Sequence, residues 1–190
     1  ALAKMPVVHD DTVQYHLPIA DSLVHLNPHL GSTITLTYSG EINCIHCKKK
    51  TKKSFSQGYC YPCLKRLARC DQCIIKPELC HYHEGTCREP QWGEQHCMKP
   101  HIIYLANSSG LKVGITRQTQ VPTRWIDQGA IQAIPLFKVG KRLDSGAIEV
   151  ALKQFVADKT NWRKMLKNDV CAQDMVQARE QLLDKSQQIL

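Results

Sequence analysis

A chain of 190 residues with a formal net charge of +8 can bury one good core or two small ones, and its charge favours a polyanionic partner, most commonly nucleic acid. Its 43% hydrophobic and 22% charged residues make an ordinary globular composition. No apolar run approaches the roughly 18 residues of a membrane span, and the opening Ala1-Leu2-Ala3-Lys4-Met5-Pro6 has no long apolar stretch, so a cytoplasmic protein with no membrane partner is expected.

In residues 1–40, Thr33-Ile34-Thr35-Leu36-Thr37-Tyr38-Ser39 alternates with period two and is rich in β-branched residues, which predicts a half-buried strand. Val13 to Leu17 is its expected partner. Leu23 to Leu30 is interrupted by Asn27-Pro28. The scattered His9, His16, His25 and His29 read as surface or packing residues.

Nine of the ten cysteines lie between residues 44 and 97. Cys44-x2-Cys47, twelve residues, then Cys60-x2-Cys63 is zinc-ribbon spacing. Two tight knuckles joined by a hairpin would aim four thiolates at one structural Zn2+. Disulfides are the alternative, disfavoured without a secretion signal. Between the pairs, Lys48, Lys49, Lys50, Lys52 and Lys53, with Phe55 and Tyr59 nearby, form a basic ribbon suited to a phosphate backbone. A solvated charge run is the equal alternative.

A second group holds Cys70-x2-Cys73, Cys80, Cys87 and Cys97, with His81, His83 and His96 between them. The preferred ligands of a second Zn2+ are Cys70, Cys73, Cys87 and Cys97, ahead of Cys80 and His83. Few large aliphatics lie here, so a second metal would supply the order that a core cannot. Trp92 reads as packing on this module, with base stacking as the alternative.

From His101 the pattern changes. His101 to Ala106 and Leu111 to Thr116 are strand-like and joined by Asn107-Ser108-Ser109-Gly110, a hairpin. Pro122 to Gly129 reads as a short helix with Pro at its first turn and Gly as its stop. Ala133 to Val139 is a third strand. Asp144-Ser145-Gly146 then introduces a helix whose apolar stripe is Ile148, Ala151, Leu152 and Phe155, with Glu149 at its rim. Residues 162–190 read as one or two amphipathic helices, with Met165, Leu166, Val170, Met175, Val176, Leu182 and Leu183 apolar and Cys171 a small packing residue.

This order of elements resembles the GIY-YIG nuclease superfamily. Ile102-Ile103-Tyr104 stands where its first triplet would be and Lys112-Val113-Gly114 where its second would be. Lys112 replaces a usual tyrosine, and the glycine before Ile103-Tyr104 is absent. Arg124 matches the helix arginine, Glu149 the metal-binding glutamate and Asn161 the asparagine after it. The whole chain also resembles a bacterial family that joins such a domain to a cysteine-rich N-terminal region. The resemblance implies phosphodiester hydrolysis with Mg2+ or Mn2+ at Glu149, and with Tyr104, Lys112, Arg124 and Asn161 around the phosphate.

Each residue has a plainer role as well. Tyr104 could be a core ring, Arg124 an ion-pair partner of Asp127, Glu149 a partner of Lys153, and Asn161 a helix cap. Lys112 could contact phosphate or act as a base. Arg117 is a further anion contact. The expected class is α+β: a zinc-binding N-terminal region over 1–100 (ribbon 41–66, second cluster 67–100), a GIY-YIG-like α/β/α domain over 101–161, and a helical segment over 162–190. The function expected first is a nucleic-acid-binding zinc protein with endonuclease activity on DNA or RNA. Catalytically inactive binding, on a ribonucleoprotein such as the ribosome, is the second expectation, and a zinc-stabilised protein–protein adaptor the third.

Overall fold

The computed structural model describes residues 7–9, 12–19 and 22–187, with only the backbone of Val7–His9. The opening Ala1 to Pro6, the side chain of His9 and the last three residues lie outside the described residues. The chain is α+β and divides into two compact units, Ala1–Asp71 and Gln72–Leu190. The division falls inside the second cysteine group.

In the first unit, β1 (Val7–His9), β2 (Val13–Ile19) and β3 (Ser22–His25) form an antiparallel sheet with β2 in the centre. Asn27 ends β3's run by bonding back to the sheet: its Nδ2 donates to the Val13 carbonyl and its Oδ1 accepts from the Tyr15 amide, both at 2.8 Å. His16 and His25 stack at 4.9 Å, as packing residues do.

Thr33 to Ser39 is not a strand. It is irregular and exposed throughout, Leu36 and Tyr38 being 65% and 69% accessible. Alternation makes a strand only where a partner supplies the ladder, and both edges of β2 are already taken by β1 and β3.

The rest of this unit is built around sulfur. Cys44, Cys60, Cys63 and Leu67 are its buried cluster, with Tyr59, Cys47 and Cys70 against it. The first CxxC turns as a knuckle, in which the Lys48 amide donates to the Cys44 carbonyl at 2.9 Å. The second CxxC is different from expectation. Cys60 caps, and Cys63 lies within the first turn of, helix α1 (Tyr61–Arg66), because Pro62 sits where a helix start tolerates proline. Gly58 is required between them: at φ +144° it lies so close to Ile45 that a Cβ would meet that side chain at 2.7 Å.

In the second unit, α2 (Pro90–His96) follows a run of short 3-10 turns. A three-stranded antiparallel sheet has the order β5-β4-β6, formed by β4 (His101–Asn107), β5 (Leu111–Arg117) and β6 (Gln132–Val139). Helix α3 (Thr123–Asp127) precedes β6, and α4 (Arg142–Leu152), α5 (Trp162–Leu166) and α6 (Met175–Ser186) follow it. The central strand β4 is buried on both faces, as its near-continuous apolar run dictates.

Its odd residues Ile103 and Leu105 join Val113, Leu152 and Leu182 in the core, so α4 and α6 cover that face. A register shift between Ile103 and Tyr104 puts one extra residue on β6, which brings both Ile134 and Phe137 onto the core side. The opposite face carries Tyr104, paired with Gly114, and Lys112, paired with Ala106. The residues beyond 161 are thus integral: Leu182 is core, and the Met165 sulfur lies against Gly129, which ends the α3 turn at φ +65°.

Three expectations need correction here. Helix α4 begins at Arg142, so Asp144-Ser145-Gly146 lies inside its first turns rather than before them. Gly146 is there because the turn Pro77–Leu79 packs on it: a Cβ would meet the Glu78 amide nitrogen at 2.6 Å. Phe155 falls beyond the helix and is 38% accessible, while Cys171 is exposed and contributes its carbonyl, not its thiol, as acceptor for Asn107 Nδ2 at 2.8 Å.

Candidate functional site

The thiols of Cys44, Cys47, Cys60 and Cys63 all lie within 4.8 Å of one another. The Cys47 and Cys60 sulfurs are 3.7 Å apart, close to the edge of a tetrahedron with Zn–S bonds of about 2.3 Å and far beyond the roughly 2 Å of a disulfide. Burial works against ionising Cys44. Backbone amides of Cys47, Cys60 and His46 outweigh it and bring that thiol down to about 6. Burial and the neighbouring thiols push Cys63 up to about 12. Mutually repelling buried thiolates with fixed amide donors suit a soft divalent cation, and the cluster can bind zinc.

The lysines beside it do not share one hairpin tip. An isolated bridge between Asn43 and Lys50 closes the first knuckle, which carries Lys48 and Lys49, and a second bridge between Phe55 and Tyr59 closes the turn Ser56-Gln57-Gly58. Lys50 Nζ bonds Glu41 at 2.5 Å and Lys53 lies over the Phe55 ring at 5.4 Å. Lys48, Lys49 and Lys52 are exposed.

The second cysteine group does not assemble as the first does. Cys70 belongs to the first unit and packs against its sulfur cluster, whereas Cys73, Cys80, Cys87 and Cys97 belong to the second. Among the described residues, no three of these last four thiols lie mutually within 4.8 Å, although a His81 ring nitrogen comes that close to the Cys73 sulfur. They still feel one another: burial raises the Cys97 thiol, and Cys80 and Cys87 add to it. His83 lies 3.8 Å from Glu84, and Trp92 stacks on His96 at 4.2 Å, the expected packing role.

Tyr104 is the meeting point in the second unit. It is fully buried, its ring 5.8 Å from that of Trp125. Gln128, one turn along from Arg124, donates from Nε2 to the phenol oxygen at 2.7 Å. Burial raises the Tyr104 pKa, opposed by the Arg124 charge and by the hydrogen bond from Gln128, while Glu149 raises it further. Tyr104 on strand β4 therefore feels both the Arg124 charge from helix α3 and the Glu149 charge from helix α4.

Glu149 is largely buried, and this burial raises its carboxyl above the ordinary range. Lys153 Nζ lies 4.0 Å from Glu149 and 3.2 Å from Asp158, so one ammonium sits between two carboxylates. Lys112 is only 5% accessible and donates from Nζ to Thr160 Oγ1, which also bonds Ser108 Oγ at 3.2 Å. Burial, then the Arg124 charge, depresses its ammonium to about 8. Thr160 arrives there because the segment after α4 runs beside β5, the Val113 amide donating to the Ala157 carbonyl at 2.8 Å.

Two expected residues stand apart from this group. Asn161 caps α5, its Oδ1 accepting from the Lys164 amide at 3.3 Å. Arg117 ends β5 opposite His101, on the sheet face away from Tyr104, where its charge bears on Cys97 and His101. Gln128, Thr160 and Asp158 are site neighbours that the sequence did not suggest. Gln128 carries a signal, four residues after Arg124 on one helix face. Thr160 carries none, since only the return of the chain along β5 places it.

A family model described as "Protein of unknown function (DUF2797)" matches residues 31–189. The chain belongs to the DUF2797 family. The match takes in both the four-cysteine cluster and the Tyr104 group, so both are features of the portion by which DUF2797 is defined in this chain. No curated protein and no solved structure gives a match. No helix among the described residues is long and apolar enough to cross a membrane.

Proposed function

We propose that this DUF2797 chain is a zinc-stabilised nucleic-acid-binding protein whose second unit is a divalent-metal-dependent endonuclease. The observation that carries this reading is that Gln128, at the end of α3, bonds the Tyr104 phenol while the charges of Arg124 on α3 and Glu149 on α4 both act on it. The net charge of +8 and the exposed Lys48, Lys49 and Lys52 support a polyanionic substrate. The resemblance of the strand and helix order to GIY-YIG nucleases supports the reaction class.

The site's own groups suggest how each would act. Gln128 donates to the phenol oxygen, which leaves the phenolic O–H free to donate to an incoming oxygen. A raised pKa keeps that proton in place at neutral pH, so Tyr104 orients rather than carries charge. Arg124 offers a fork of N–H donors to the non-bridging oxygens of a phosphate, where charge grows during attack.

Glu149, with Asp158, would hold Mg2+ or Mn2+. The fit is supported by Lys153, which already places positive charge between these two carboxylates. A bound divalent ion supplies Lewis-acid stabilisation and a more acidic water. The test is cleavage of plasmid, single-stranded DNA and structured RNA with magnesium or manganese. Cleavage by wild type that is lost in Glu149→Ala and Arg124→Ala supports the reading, and no cleavage of any substrate refutes it.

A second reading, binding without cutting, is favoured by one observation. Lys112 stands where a phenol is usual and is held by Thr160. Salt-sensitive binding to RNA or DNA with no turnover is its signature.

A further inference from the structure

We propose that Lys112 and Arg124 form an anion pocket that selects the terminal phosphate of a nucleic acid over an internal diester. The inference rests on the proposed function only for the ligand being a phosphate.

Lys112 is a buried ammonium whose polar partner is a neutral hydroxyl, Thr160 Oγ1. Neither it nor Arg124 forms an ion pair with a carboxylate among the described residues. Lys112 shares the Tyr104 face of the sheet, and Arg124 stands one turn before Gln128, which bonds the Tyr104 phenol. The Arg124 charge weakens protonation of Lys112, a repulsion that a bound anion relieves.

The charge count distinguishes the ligands. An internal diester brings one negative charge, whereas a terminal phosphate brings close to two at neutral pH. Lys112 and Arg124, neither ion-paired among the described residues, match the second. Depth points the same way. A 5%-accessible ammonium is reached more readily by a phosphate with a single covalent attachment than by one flanked by two sugars. A tyrosine at this place would supply no such charge. The lysine therefore changes what the site prefers to hold, beyond its effect on turnover.

The experiment is fluorescence anisotropy with one oligonucleotide sequence bearing a 5′-phosphate, a 3′-phosphate or only hydroxyl ends, in buffer without magnesium or manganese. Wild type is expected to bind a phosphate-ended strand about tenfold more tightly than the hydroxyl-ended one. Inorganic phosphate should erode that difference. Lys112→Met and Arg124→Gln should each abolish it, whatever they do to the affinity for the hydroxyl-ended strand. The preference should also fade above pH of about 8, where Lys112 loses its proton, and persist there in Lys112→Arg.

Equal affinity for all ends overturns the inference, as does a preference that survives Lys112→Met. Should Lys112→Met not fold, Arg124→Gln, at an exposed position, decides by the same comparison. End preference without cleavage would refute the endonuclease reading alone. Cleavage without end preference would refute this inference alone.

Discussion

Gly114 lies directly across the ladder from Tyr104, and a Cβ at residue 114 would meet the phenol oxygen at 2.7 Å. The glycine is therefore needed for space rather than for an unusual backbone angle. The Tyr104 ring packs over it, and its phenol oxygen accepts from Gln128. Gly114→Ala should force the ring out of place and cost about 1–3 kcal/mol of stability, read as a lower melting temperature. Tyr104→Ala in the same background should recover part of that loss, because the clashing ring is gone.

The sulfur cluster makes a prediction for the first unit alone. Its buried residues are mainly cysteines, so little else holds residues 42–67 together. Chelation, or Cys44→Ser with Cys60→Ser, should remove bound zinc by elemental analysis and unfold this stretch by hydrogen exchange. The sheet β5-β4-β6, with its own aliphatic core, should keep its protection.

Buried ionisable groups give a pH signature. Lys112 has a folded pKa depressed to about 8, so its contribution is present above the unfolded value near 10.5 and lost as pH falls through about 8. At pH 7 the buried ammonium is a burden, and Lys112→Met should be more stable than wild type by about 1–3 kcal/mol. The gap should narrow as pH rises from 8 towards 10.5 in urea titrations. Glu149 has the opposite sign. Its raised pKa favours the fold at acid pH and is lost as pH rises through the folded value, so Glu149→Gln should flatten that limb.

The lysine run separates into two sets. All five lysines are exposed, but Lys50 is engaged by Glu41 and Lys53 by Phe55, whereas Lys48, Lys49 and Lys52 form no ion pair among the described residues. Changing these last three to alanine should weaken nucleic-acid binding uniformly across sequences and reduce the salt slope by about 2–3. Changing Lys50 and Lys53 should reduce it less.

Where the sequence was legible, local chemistry and global packing agreed. Two apolar runs around Ser108-Ser109-Gly110 read as a hairpin and Cys44-x2-Cys47 with Cys60-x2-Cys63 as one cluster, and the fold makes both. Legibility failed where a distant partner decides. Thr33 to Ser39 has a strand's alternation but no ladder to join. Asp144-Ser145-Gly146 imitates a helix start, yet Gly146 answers to Pro77 and Glu78, nearly 70 residues away. Arg117 reads by sequence as a further anion contact, but strand alternation puts it on the sheet face away from Tyr104. Thr160 reaches Lys112 only because the Ala157 segment lies along β5.

The most direct test of the central claim is single-turnover cleavage of a labelled structured RNA and a DNA duplex with manganese, comparing wild type with Glu149→Gln. The account predicts cleavage by wild type and a loss of about a hundredfold or more in the variant, with binding retained. Cleavage at the same rate in both, or none in wild type with every substrate, would contradict it.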